Sequence, residues 1–192
     1  MEATAFLSRL KARDPEALST VVALHARRLY RVARGLGCQA SEAEDVAQEV
    51  FVTFLETLDR FEGRSEVSTW LIGILHHKVR ERRRAVARDE RHHSIEDVFE
   101  SQFDAAGHWT KAASPADRRL EGLESAEAVT ACLAELPDRL RDVFHLRQVE
   151  ELSAAEVGVT LDCTPTHVGV LLHRARLRLR ACLERKGWRP GR

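Results

Sequence analysis

Residues 153–176 read SAAEVGVTLDCTPTHVGVLLHRAR, and the capping chemistry in this stretch decides the fold of the C-terminal part. Ser153 followed three residues later by Glu156 is a capping box, in which hydroxyl and carboxylate reciprocally satisfy two orphan N–H groups at a helix start. The short helix so begun ends near Leu161, and Asp162-Cys163 makes the turn. Thr164 can then cap a second helix with Pro165 at its first position, where the missing proline N–H costs nothing. Val168, Leu171, Leu172, Ala175 and Leu179 fall on one face and are expected to pack inward, and Gly158 leaves room for the two helices to approach. The opposite face carries Thr166, His167, Gly169, Val170, His173 and Arg174, with Arg176, Arg178 and Arg180 beyond. This is the pattern of a helix-turn-helix whose second helix enters the DNA major groove by its N-terminal half. The alternative, an ordinary helical hairpin with a solvated arginine face, gives no reason for two stacked capping signals at this spacing.

Upstream, helical periodicity runs through almost the whole chain, with segments at about 124–136 and 137–149, and no alternating strand pattern occurs. Between about Arg88 and Leu123 the periodicity decays around His92, His93, Gly107, His108 and Ser114-Pro115, which predicts a linker. Near the N-terminus, Asp14-Pro15 opens a helix carrying Leu18, Val21, Val22, Leu24, Leu29 and Val32, and Gly35 and Gly37 stop it. Ser41 to Glu44 reads as a further capping box for a helix with Val46, Ala47, Val50, Phe51, Phe54, Leu55 and Leu58 on one stripe. Its other face is acidic, with Asp45, Glu49 and Glu56 beside Gln48, and suits a basic protein surface or water rather than DNA. A helix from about Ser68 to Arg84 points Leu71, Ile74, Leu75 and Val79 to the core, with Trp70 also assigned there. It is expected to expose Gly73, His76, His77, Arg80 and Arg84. Residues 78–91 hold seven Lys/Arg against three acids, and the loop Arg60-Phe61-Glu62-Gly63-Arg64-Ser65 sets an aromatic among arginines. Positive charge with aromatic faces suits unstacked single-stranded bases. The fold class expected is all-α: two small helical domains, residues 1–87 and 124–192, joined by a linker over 88–123.

Bulk composition sharpens what these patches mean. Thirty basic and thirty acidic residues cancel, which excludes a uniformly basic DNA-coating protein and places the nucleic-acid-binding charge in segments. Basic charge is nearly all arginine, whose planar fork suits phosphates and guanine edges. Cys38, Cys132, Cys163 and Cys182 form no C-x-x-C pair and are expected to be reduced, small core residues. No signal peptide and no apolar run near the ~20 residues of a membrane span are seen, so a soluble cytoplasmic protein is expected. Adjacent His76 and His77 point ~100° apart on a helix and lack ligand partners at metal-binding spacing, so no metal and no cofactor are expected. No activated nucleophile or carboxylate cluster suggests an enzyme such as a recombinase.

In order along the chain, these segments resemble the extracytoplasmic-function group of bacterial RNA polymerase sigma factors. The resemblance rests on Asp45-Val46-Ala47-Gln48-Glu49-Val50-Phe51, Asp59-Arg60-Phe61-x-Gly63, Ser68-Thr69-Trp70-Leu71 and the basic run Arg80 to Arg84. It continues with Leu136-Pro137-x-Arg139-x-Arg141-x-Val143-Phe144 and the helix-turn-helix ending His173-Arg174-Ala175-Arg176. Phe103-Asp104-x-x-Gly107-His108-Trp109 looks like a subgroup feature. The resemblance implies a non-enzymatic promoter-specificity subunit. Asp45, Gln48, Glu49 and Phe51 would dock on core RNA polymerase. Phe61, Arg64, Ser65, His76, His77, Arg80 and Arg84 would read and help open the −10 element. Thr164, Thr166, His167, Gly169, Val170, His173, Arg174 and Arg176 would read the −35 element, with an anti-sigma factor as the controlling partner. Where the family commonly has Asn, this chain has His77, and where it has Lys and Arg, this chain has Gly169 and Leu171. A conventional helix-turn-helix regulator acting without polymerase is the competing reading. It gives no reason for an acidic helix beside a basic, aromatic strand-opening segment.

Overall fold

The structure is a computed structural model and describes residues 2–63, 65–89 and 123–188. Eight α-helices occur among the described residues: α1 (Glu2–Lys11), α2 (Pro15–Gly35), α3 (Ala40–Thr57), α4 (Val67–Asp89), α5 (Leu123–Ala134), α6 (Asp138–Gln148), α7 (Ala154–Leu161) and α8 (Pro165–Arg185). A single 3-10 turn, Leu58–Arg60, follows α3. The all-α class agrees with the sequence pattern, and α2 to α8 follow in the order expected, with α1 an additional helix ahead of them. No helix is long and apolar enough to cross a membrane among the described residues.

Local chemistry accounts for most helix boundaries. Asp14 accepts from the N–H groups of Glu16 and Ala17 at the start of α2, with Pro15 as first helical residue. Ser153 Oγ accepts from Glu156 N–H at 3.2 Å while Glu156 accepts from Ser153 N–H at 2.8 Å. Asp162 takes the left-handed conformation after α7, and Thr164 Oγ1 caps α8 by accepting from His167 N–H at 3.2 Å.

Three expectations shift. Helix α3 starts at Ala40, and its cap is Gln39, whose N–H donates to Glu42 at 2.8 Å, so Ser41 lies inside the helix. The cause is the sharp turn at Gly37, with φ +99°, which sends the chain extended into Gln39. Helix α4 runs on to Asp89, past the end expected near Arg84, and residues 90–122 of the expected linker, including His92, His93 and the Phe103 to Trp109 motif, lie outside the described residues. The third correction concerns the thiols. Cys132 of α5 and Cys182 of α8 are joined in a disulfide with Cα atoms 5.8 Å apart, whereas Cys38 and Cys163 are free. A separation of 50 residues hides this pairing from the sequence, because only the packing of α5 on α8 brings the two together.

The core is continuous across the halves. Val21, Leu29 and Val32 of α2, Val46, Val50 and Phe54 of α3, and Leu71, Ile72 and Leu75 of α4 share one buried cluster with Val143 and Leu146 of α6, Val157 of α7 and Val168 and Leu171 of α8. A smaller cluster of Leu179 and Leu183 surrounds the disulfide. Apolar burial of this kind, at about 25 cal/mol per Å², supplies the main cohesion of each helix pair. Within the helix-turn-helix, Gly158 is the point of closest approach, since a Cβ there would lie 2.7 Å from the Cys163 carbonyl oxygen. Gly158→Ala is therefore expected to destabilise the chain by about 1–3 kcal/mol in urea denaturation, despite alanine's better helix propensity.

Candidate nucleic-acid and polymerase interfaces

Helix α8 presents the face that its sequence pattern suggests. Thr164, Thr166, His167, Gly169, His173 and Arg176 are exposed, and Val170 and Arg174 are half-buried beside them. Val168, Leu171, Ala175 and Leu179 are buried on the opposite side. A Cβ at Gly169 would meet nothing within 4 Å. Arg176 donates to the Gln148 side chain at 2.8 Å, which steadies it at the rim of α6.

On α3, Asp45 and Gln48 are exposed, Phe51 is half-buried against the core, and Val52 and Leu55 remain exposed apolar neighbours. Glu49 is not a free acid. It accepts from Arg82 at 2.6 Å and faces Lys78 at 3.5 Å. Burial pushes its carboxyl up, but Arg82 and Lys78 together outweigh that and hold it below the ordinary value. Part of the acidic face is thus neutralised by α4 of the same chain.

Two residues expected to meet bases are buried. Phe61 is 2% exposed, with its ring 5.4 Å from that of Trp70, so in this arrangement it serves the core instead of offering a stacking face. His76, expected on the exposed face of α4, is 4% exposed. Ser65 is half-buried, His77, Arg80 and Arg84 are exposed, and Arg64 lies outside the described residues.

The reason for the burial of His76 is a second buried side on α4. Ser68, Ile72, His76, Val79 and Arg83 recur at spacings of four and three, which places them on one helix face. The sequence reading followed the apolar stripe through Leu71 and Leu75 and took the neighbouring side for solvent. That neighbouring side meets the C-terminal half. His76 Nε2 lies 3.1 Å from Asp142 Oδ2, and the Arg83 guanidinium donates to both Asp142 oxygens at 2.8 and 3.0 Å. Arg83 also donates to the Leu36 carbonyl, an orphan acceptor at the end of α2. Asp142 is 3% exposed. Burial raises its carboxyl pKa, but the hydrogen bonds from His76 and Arg83 prevail and hold it below the ordinary range, so it is a buried carboxylate.

Further bonds flank this cluster. Arg28 donates to Glu150 at 2.7 Å, Thr69 donates to Glu156 at 3.1 Å, and the His145 ring occupies the space where a Cβ on Gly35 would stand. Asp142 has no counterpart among the site residues expected from the sequence. Its signal is an acid four residues before Leu146 on the buried side of α6.

Residues 21–89 match Sigma-70 region 2, and residues 126–179 match Sigma-70, region 4. A probable RNA polymerase sigma factor of Haemophilus influenzae is 32% identical over 157 residues, covering 77% of this chain and 80% of the relative. The chain belongs to the extracytoplasmic-function RNA polymerase sigma factors. The sigma factor SigW of Bacillus subtilis is 27% identical over 179 residues, 91% of this chain and 92% of that one. Among solved structures, the sigma factor RpoE in complex with the anti-sigma factor NepR from Bartonella quintana superposes with a TM-score of 0.63 at 22% identity. It covers 86% of this chain and 96% of that one. CnrH in complex with the cytosolic domain of CnrY gives 0.65 at 22% identity, with 94% and 96% covered. At that identity the likeness bears on fold. Membership makes this sigma factor a non-enzymatic initiation factor, and the stand-alone regulator reading falls away.

His145 supplies a pH test of the interface. Burial lowers its proton affinity, with Glu150 and Asp142 opposing the shift. The folded chain therefore holds the ring neutral, while the unfolded chain protonates near pH 6.5. Stability is expected to be complete above about pH 6.5 and to fall as pH drops through that value toward the lower folded pKa. His25, lowered by burial and by Arg28, acts in the same direction. Denaturation midpoints measured at pH 7.5 and 5.5 should differ, and His145→Gln should reduce that difference without abolishing it.

Proposed function

We propose that this sigma factor divides its work among three faces: an acidic face of α3 for core RNA polymerase, the basic side of α4 for the −10 element, and the exposed side of α8 for the −35 element. The observation that carries this reading is the recognition face of α8. Thr166, His167 and His173 stand exposed on a helix whose other side is buried, a geometry suited to insertion in a major groove. Asp45, Gln48 and part of Phe51 would meet polymerase, with Glu49 contributing through its pairs to α4. His77, Arg80 and Arg84 are exposed on α4 and would meet DNA, with Arg64 and Ser65 of the preceding loop assigned to the same element. Phe61 and His76 act there only if the chain rearranges. We assign the −10-reading domain to residues 1–87 and the −35-reading domain to residues 124–192, with the linker between. The protein works in the cytoplasm, where its polymerase and promoters are, and an anti-sigma factor restrains it. Supporting that last point, both similar solved sigma-fold structures hold such a partner or a cytosolic domain bound to the sigma-fold chain.

Run-off transcription with purified core polymerase on a library of promoter fragments tests the whole reading, and initiation confined to particular promoters is expected. Arg174→Ala should weaken −35-dependent initiation by about 1–3 kcal/mol if the guanidinium grips a base. If it grips a phosphate, the loss should be uniform across sequences, with a shallower salt dependence. Asp45→Arg with Gln48→Arg should abolish pull-down of core polymerase while circular dichroism shows the helices intact. Unchanged pull-down would remove α3 from the polymerase interface.

A further inference from the structure

Asp142 sits in a site built for an oxyanion. Its two oxygens accept both arms of the Arg83 fork at 2.8 and 3.0 Å, and His76 closes the third side at 3.1 Å. The Asp142 and His76 side chains are almost fully enclosed, at 5% and 6% exposed, and Arg83 is 23% exposed. Everything acidic in it comes from α6, namely Asp142 and, 3.6 Å from Arg83 Nε, Asp138. The groups that hold Asp142, His76 and Arg83, come from α4, while Asp138 is also paired with Arg141 of its own helix. Planar, bidentate capture of this kind suits carboxylate and phosphate alike. Just around the helix, Arg80 and Arg84 are exposed and would extend positive charge from the site along α4, with His77 exposed beside them.

The closed arrangement also has a problem of reach. The −10 and −35 elements lie roughly 85 Å apart at 3.4 Å per base pair. A compact body of about 150 residues has a radius of gyration of only about 15 Å. With α6 fastened to α4, both elements cannot be read at once. Parting the two halves removes Asp142 and Asp138 from α4 and leaves His76 and Arg83 with no anion.

We infer that His76 and Arg83 form a phosphate clamp on α4 that takes a backbone phosphodiester of promoter DNA, and that the Asp142 carboxylate occupies this clamp as a built-in competitor when the domains are closed. The inference rests on the reading of α4 as a DNA-facing helix. Binding DNA and opening the chain are then one exchange of anions at a single site. Carboxylate leaves, phosphate enters, and the Arg83 guanidinium is never left without an anion.

The test uses the full chain and a fluorescent 20-nucleotide single-stranded DNA of arbitrary sequence, read by anisotropy over a salt series. Asp142→Asn removes the competing charge with little change of shape. It should raise affinity at least tenfold and steepen the salt dependence by about 0.7, the value for one added phosphate contact on a single strand. Adding Arg83→Gln to Asp142→Asn should cancel both gains, and adding His76→Gln should cancel part of the affinity gain. A folded Asp142→Asn protein with unchanged affinity overturns the proposal. So does a gain that survives Arg83→Gln, because the variant would then only loosen the interface.

Should Asp142→Asn fail to fold, the wild-type chain carries the test. Dyes at the exposed positions Val52 and Val159 should separate when the oligonucleotide binds. Bound DNA with no change in transfer efficiency overturns the exchange. Run-off transcription is scored separately. Loss of promoter-directed initiation with an intact oligonucleotide response would count against the function proposed above, and the reverse against the clamp.

Discussion

The arrangement of the two halves depends on one buried carboxylate. Asp142 lies between His76 and Arg83 with almost no access to water. A charge in that position is tolerated only because two donors from the other domain surround it. Removing one member of such a cluster typically costs about 3–5 kcal/mol, since the rest is left charged and dry. That asymmetry makes the contact a specific fastening, where apolar surfaces alone would slide. Ile72, Val143 and Leu146 supply cohesion around it, and the carboxylate sets their register.

Arg83 reaches further than the pair it forms. By donating also to the Leu36 carbonyl it ties the end of α2 to α4 and α6 at one point. The loop that starts α3 leaves from that same end of α2, so α3, α4 and α6 are referred to a common junction. Glu49, held by Arg82 and Lys78, adds a second tie between α3 and α4. The neutrality of the whole chain is therefore partly realised as contacts. Acids on α3 and α6 pair with bases of α4, and Thr166, His167 and His173 of α8 stay exposed.

Local physics made much of this legible in the sequence. Capping residues, a proline at a first helical position and apolar stripes mark α2, α7 and α8 closely, because each signal is satisfied within a few residues of itself. The exposed side of α8 follows from the same periodicity. What escaped was set by partners distant in sequence. His76 looked exposed because a helix with one apolar stripe is ordinarily wet on the other side, and nothing near it announces Asp142, 66 residues away. Phe61 suited a base-stacking loop by composition, and only its position against Trp70 makes it core. The thiols follow the same rule, since Cys132 and Cys182 meet solely because α5 lies along α8.

That last contact has a mechanical meaning. Helix α5 rests on α8 through a small apolar patch, which could be peeled away by a modest force, but the disulfide makes the junction covalent. A pull arriving along the backbone at Leu123 travels through α5 to Cys132, crosses to Cys182 and is delivered near the C-terminal end of α8. The turn and the Thr164 cap at the other end of that helix are left unloaded. Such a load would thus be borne by the disulfide and the C-terminal part of α8, while Val168 and Leu171 keep the N-terminal part of the same helix seated in the main core.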